Sequence, residues 1–141
     1  MKRDYPDRPI VGVGAVIIED KRALVVRRGS EPLKGEWSIP GGVLELGETL
    51  REGAAREALE ETGLRVEAGE VLEVVDRIIR DPEGKTRYHF VLVDFLCRRI
   101  SGDARAGGDA TDLRWVSERE LAELAISEAA AAVIRKGFER G

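Results

Sequence analysis

The sequence predicts an α/β fold in which a mixed sheet lies between helices. Three observations carry that expectation. Runs rich in Val, Ile and Gly recur at strand length, two of them long and joined by an Asp-Pro-Glu-Gly turn. A strongly capped helix interrupts them near the middle of the chain. An alanine-rich helical segment closes it.

Each element has its own justification. Met1 to Pro9, with two prolines and five charges, is an irregular lead-in. Ile10 to Glu19 has the apolar character of a buried strand. Ala23 to Arg28 is a second strand after a turn at Asp20-Lys21. Gly29 to Gly35 reads as loop and Glu36 to Ile39 as a short strand, before Pro40-Gly41-Gly42 breaks regular structure. Thr49 to Thr62 is the best-marked helix. Thr49-Leu50-Arg51-Glu52 is a capping box, in which the Thr49 hydroxyl and the Glu52 carboxylate each accept from an otherwise unpaired backbone N–H. Gly63 supplies the stop, and Leu50, Ala54, Ala58 and Leu59 the expected apolar stripe.

Val66 to Arg80 and Thr86 to Arg99 are two long strands joined by a hairpin turn at Asp81-Pro82-Glu83-Gly84. Gly102 to Asp109 is a flexible loop, and Leu113 to Val116 a short strand. Ser117-Glu118-Arg119-Glu120 is a second capping box opening a short helix to about Leu124, and Ser127 to Glu139 forms the last helix.

Composition narrows the function classes. At 141 residues, 43% hydrophobic and 35% charged, the chain is expected to be one domain spanning 1–141 with a proper core. A net charge of −4 without a basic block disfavours binding to bulk nucleic acid or to an anionic membrane. The single cysteine, Cys97, permits no internal disulfide. No apolar run reaches membrane-spanning length, and the lead-in lacks the apolar core of a signal peptide. A cytoplasmic protein is the expectation.

The capped helix carries an oddity. Glu57, Glu60 and Glu61 stack on one side, with Glu48 just before it. Like charges at i,i+4 destabilise a helix by roughly 0.2–0.5 kcal/mol per pair. A solvated face usually mixes signs at that spacing, as Arg56–Glu60 does and Glu57–Glu61 does not. Three carboxylates at i, i+3 and i+4 suit a hard divalent cation, which takes oxygen ligands and would remove the repulsion.

The same stretch resembles the Nudix box: Gly42, five residues, Glu48, seven residues, then Arg56-Glu57-Ala58-Leu59-Glu60-Glu61-Thr62-Gly63-Leu64. Ala58 stands where the family prefers a large aliphatic residue. The resemblance implies the family's α/β/α sandwich around a mixed sheet. It also implies a Mg²⁺-dependent pyrophosphohydrolase, with Mn²⁺ able to substitute, acting on a nucleoside diphosphate linked to another group. The small-molecule substrate expected first is ADP-ribose, cleaved to AMP and ribose 5-phosphate. The alternative within the class is hydrolysis of (oxidised) nucleoside triphosphates. The alternative of another class is a non-catalytic nucleotide-binding regulator. A homodimer is a further expectation.

Residue roles follow from the same resemblance. Glu57 and Glu61 resemble the principal metal ligands, Glu60 a further ligand, and the carbonyl of Gly42 (or Gly41) completes the set. Arg56 matches the arginine that orients carboxylates, through Glu48. The general base stays open between Glu60 and Asp109, which lies in the loop before a late strand. Arg27 and Arg28 end a strand facing the site, and Trp37 could stack on a base; these are the substrate-binding candidates. His89 and Cys97 sit within strands and read as packing residues. Gly12-x-Gly14 and Gly84-Lys85-Thr86 are incomplete as nucleotide motifs.

Overall fold

The computed structural model describes residues 2–141; Met1, the first residue of the expected lead-in, lies outside them. Seven strands and three helices follow in the order β1 (Ile10–Glu19), β2 (Arg22–Arg28), β3 (Trp37–Ser38), β4 (Gly41–Val43), α1 (Leu50–Thr62), β5 (Arg65–Arg80), β6 (Thr86–Ser101), β7 (Ala110–Ser117), α2 (Glu118–Leu121) and α3 (Glu128–Arg140). The sheet runs β3-β2-β1-β6-β5, with β4 also on β1 and β7 also on β2. It is mixed: β1 is parallel to β6 from Ile10 beside Phe90 to Ile17 beside Cys97, and the other pairings are antiparallel.

Alternation along β1 assigns the two faces. Val13, Ala15 and Ile17 pack with Ala54 and Ala58 of α1, together with Val93, Phe95 and Cys97 of β6. Val16 packs on the other face with Val133 of α3. Helices therefore cover both sides, and the expected α/β/α sandwich is present. Full burial of a side chain such as Phe95 or Ile17 contributes about 1.5–3 kcal/mol.

On its other edge β1 changes partner. Gly12 to Gly14 pair with β4, whereas Ile18 and Glu19 pair with β2. The break expected at Pro40-Gly41-Gly42 is therefore narrower than the sequence suggested, falling at Ile39 and Pro40 between β3 and β4. Gly41 and Gly42 are strand residues, because ladder bonds use backbone groups and two facing glycines, Gly14 and Gly41, let the chains approach.

Four other expectations are corrected. Leu50 and Leu59 are 36% and 40% exposed, so they are not the buried stripe of α1. That face is Gly53, Ala54, Ala58, Glu61 and Thr62, small residues that let the helix lie close to the sheet. The helix after Ser117 ends at Leu121 rather than near Leu124, and β7 starts at Ala110, earlier than Leu113. Finally, the 102–109 loop is fastened. Arg105 N–H donates to the Thr62 carbonyl (2.8 Å) and Gly107 N–H to the Glu61 carbonyl (3.1 Å), pairing oxygens that the end of α1 leaves without helical partners.

Both capping boxes form as expected. So does the hairpin turn: Gly84 has φ 83°, and the Asp81 side chain accepts from the N–H groups of Glu83 and Lys85. The lead-in is tied to this hairpin, through Tyr5 N–H to the Arg87 carbonyl and the Tyr5 hydroxyl to Asp81.

Candidate active site

The start of α1 sets the site's first layer. Glu48 sits just ahead of the capping box, close against Gly53, where a Cβ would come within 2.9 Å of its carboxylate. It accepts from Glu45 N–H (3.0 Å) and from both arms of Arg56, at 2.6 Å from Nε and 3.0 Å from Nη2. The pairing expected between Arg56 and Glu48 is thus a two-point fork. The same guanidinium donates to the Val43 carbonyl (3.0 Å) and to Glu57 (2.8 Å), while Glu60 lies farther off at 3.4 Å. Arg56 thereby joins β4, the following loop and α1. Its bond to Glu48 raises its own pKa and holds the Glu48 carboxyl below its ordinary range.

The second layer is acidic and poorly neutralised. Burial raises the pKa of Glu57, with Arg56 opposing and Glu60 reinforcing the shift. Glu61 is 7% exposed, and burial pushes its carboxyl up to about 7, with the charges of Glu57 and Asp109 adding to the effect. Its hydrogen-bond partner is the Gly41 N–H, at 3.0 Å. No protein cation pairs with Glu61 among the described residues. Gly42 is placed against Glu57: a Cβ there would lie 2.5 Å from the carboxylate.

The fastened loop brings Asp109 to the same place. Its side chain accepts from the Ser30 hydroxyl (2.6 Å) and its carbonyl from Gly29 N–H (2.9 Å). Glu57, Glu60, Glu61, Gly42 and Asp109 all line one cavity of about 380 Å³.

The donor set fits a hard, oxygen-ligated cation. Two of its carboxylates are held in a low-dielectric wall where the ionised form lacks sufficient compensation, and a divalent ion would supply it. Among the described residues, no group of three or more His, Cys, Asp or Glu side chains is placed to hold a metal ion. Mg²⁺ does not demand one, since it keeps waters and takes substrate phosphate oxygens alongside one or two carboxylates.

The substrate candidates divide. Arg28 and Trp37 line the cavity. Arg27 does not; its Nε donates to the Gly35 carbonyl (3.1 Å) in an exposed position. Successive strand residues point to opposite faces, so one strand end cannot turn both arginines toward one site. Arg28 is itself oriented by a bond from Nε to the Pro32 carbonyl (2.6 Å). His89 and Cys97 lie outside the cavity lining, and burial pushes the Cys97 thiol up to about 12.

Two further lining residues, Asp94 on β6 and Arg77 on β5, are not singled out by the sequence pattern. The available signal for Asp94 is that it is the one charge in the apolar run Phe90–Cys97. Arg77 has its pKa lowered by burial and by the nearby Arg28 charge.

The sequence profile of the NUDIX domain matches residues 8–137, which include all the residues lining this cavity except Arg3. The chain belongs to the Nudix family. It is 36% identical over 117 residues to an ADP-ribose pyrophosphatase of Methanocaldococcus jannaschii, covering 83% of this chain and 67% of that protein. It is 38% identical over 110 residues to a MutT-like protein of Streptomyces ambofaciens, covering 78% of this chain and 64% of that one. The chain thus spans about two thirds of the length of these relatives. Among solved structures, a MutT Nudix hydrolase from Burkholderia pseudomallei superposes with a TM-score of 0.77 at 28% identity, over 92% of this chain and 98% of that one. Nudix hydrolases generally use a divalent metal. Among the described residues, no helix of this member is long and apolar enough to cross a membrane.

Proposed function

We propose that this Nudix protein is a Mg²⁺-dependent pyrophosphohydrolase, with Mn²⁺ able to substitute, that cleaves ADP-ribose to AMP and ribose 5-phosphate. The observation that carries the reading is Glu61: a buried carboxylate beside Glu57, without a salt bridge among the described residues and with Arg28 as the nearby compensating charge, on the wall of a nucleotide-sized cavity. The substrate choice is supported by the likeness to the ADP-ribose pyrophosphatase.

Glu57 and Glu61 would hold the cation, with the carbonyl of Gly42 (or Gly41) completing the set and Glu60 at the exposed rim. The bound cation supplies charge neutralisation for the diphosphate and makes the attacking water more acidic. Arg56, fixed by Glu48, keeps Glu57 aimed into the cavity. Asp109, positioned by Ser30, takes a proton from the water as it attacks phosphorus and the other phosphate leaves; Glu60 is the competing base. Arg28 binds a phosphate oxygen, and Trp37 offers a face to the nucleoside. Positioning and electrostatics account for most of the rate enhancement.

The test is a substrate panel with Mg²⁺, containing ADP-ribose, the (d)NTPs with oxidised forms, and diadenosine polyphosphates. Preference for ADP-ribose with release of AMP and ribose 5-phosphate is expected. Preference for a triphosphate would overturn the substrate assignment. Nucleotide binding without turnover of any compound would overturn catalysis itself and favour a regulatory module.

A further inference from the structure

The cavity extends beyond the carboxylates. On β6, Val93, Phe95 and Cys97 pack toward α1, so the alternate residues Leu92 and Asp94 face the other side, beneath α3. Leu92, Val75, Ile39, Val133 and Trp37 line this second part of the cavity and make an apolar bay. Asp94 is the one acid placed among them.

Asp94 is only 6% exposed. Space for its carboxylate exists because residue 14 has no side chain: a Cβ on Gly14 would lie 2.1 Å from Oδ1. Ile39 borders the same spot, with Cγ2 3.2 Å from that position. The described residues provide no hydrogen bond or ion pair to Asp94. Its neighbour across the ladder, Glu73, is another acid and is itself bonded to Lys136. No side-chain oxygen sealed from solvent lacks a partner among the described residues, so the unpaired Asp94 oxygens open onto the cavity.

A carboxylate in an apolar wall without donors is costly to keep. A ligand that brings N–H groups recovers that cost. The apolar residues of this bay suit an aromatic ring better than a hydroxyl-covered sugar. We propose that Asp94 is a specificity-determining residue that accepts hydrogen bonds from the amino-bearing edge of the substrate's nucleobase. This assignment rests on the reading of the cavity as a nucleotide site and goes beyond the reaction proposed for it.

Calorimetric binding of nucleoside monophosphates tests it without any turnover. GMP and IMP differ by one exocyclic amino group, as do AMP and purine riboside 5′-monophosphate. In at least one pair the amino-bearing member should bind the wild-type protein roughly tenfold or more tightly. Asp94→Asn, which replaces one acceptor by a donor, should erase or invert that ratio. Ratios within twofold in both pairs would overturn the proposal, and the wild-type protein alone delivers that result should the variant fail to fold. A ratio unchanged in Asp94→Asn would overturn it too. Equal loss of ribose 5-phosphate and nucleotide binding in the variant would assign Asp94 to the sugar instead. If ADP-ribose is not hydrolysed but the amino-group ratio holds, the reaction assignment fails and the role of Asp94 stands.

Discussion

The carboxylate of Glu57 lies directly against the Cα of Gly42, so close that a Cβ on residue 42 would stand 2.5 Å from it. At the adjacent Gly41 a Cβ would instead meet the Val13 carbonyl oxygen at 2.3 Å. The first obstacle is the end of a flexible side chain and the second is backbone. Gly42→Ala should therefore fold with a melting temperature within a few degrees of wild type, yet bind the divalent cation at least tenfold more weakly. Gly41→Ala should lose several kcal/mol of stability. Thermal melts and metal titrations of the two variants check the contrast.

Arg56 makes four of its hydrogen bonds at 3.0 Å or less, to three different residues. A lysine has one point charge and cannot form the fork. Arg56→Lys should lower kcat by at least tenfold. Arg56→Ala removes the charged partner of the partly buried Glu48 carboxylate and should cost about 1–3 kcal/mol in urea unfolding. A lysine variant with wild-type kcat would show that the fork is not needed.

The raised Glu61 carboxyl, near 7, makes metal binding a competition with protons. The cation takes the ionised form, so affinity should climb as pH rises toward about 7 and level off above it. Glu61→Gln keeps an acceptor for the Gly41 N–H but carries no charge. It should fold normally, lose at least a thousandfold in kcat, and flatten the pH dependence of Mn²⁺ binding. Titrations at pH 6, 7 and 8 on both proteins measure this.

Asp94 gives a stability signature with a definite sign. Burial, reinforced by the Glu73 charge, raises its folded pKa to about 6 from 3.8. Between those values the folded state binds more protons than the unfolded state, so this contribution falls as pH rises through the window. Ligand-free wild type should lose on the order of 2 kcal/mol relative to Asp94→Asn between pH 4 and pH 7. Denaturant unfolding of the pair at several pH values isolates the difference. Carboxyls with lowered pKa, such as Glu48, change stability in the opposite sense and cancel in it.

The helix that carries the acids was legible because its signals are local. A capping box, an αL glycine and acids at helical spacing all lie within a few turns of chain, and the fold keeps each of them. The β5–β6 hairpin was legible for the same reason. What escaped depends on distant strands. Asp94 enters the cavity only because β6 lies parallel to β1 and sets it beside Gly14. A strand covered on both faces shows a nearly continuous apolar run, with little to mark which face a lone acid takes. Leu50 and Leu59 misled because the face of α1 that meets the sheet is made of small residues, and close approach outweighs side-chain size there. Arg27 and Arg28, adjacent in sequence, could not share a face once β2 formed.

The acids and the apolar bay of the cavity come from different elements, joined by the glycines of β1 and β4 between them. The acids come from α1 and the loop ahead of β7, whereas the apolar bay is walled by β5, β6 and α3 together with β3 and its following residues. Chemistry and choice of substrate are thereby inscribed on different stretches of the polypeptide. A lineage can redraw the bay by point changes at positions such as 75, 92, 94 or 133 and inherit an intact hydrolytic centre. For the engineer, those same positions are where new substrates should be sought, with the acidic helix left untouched.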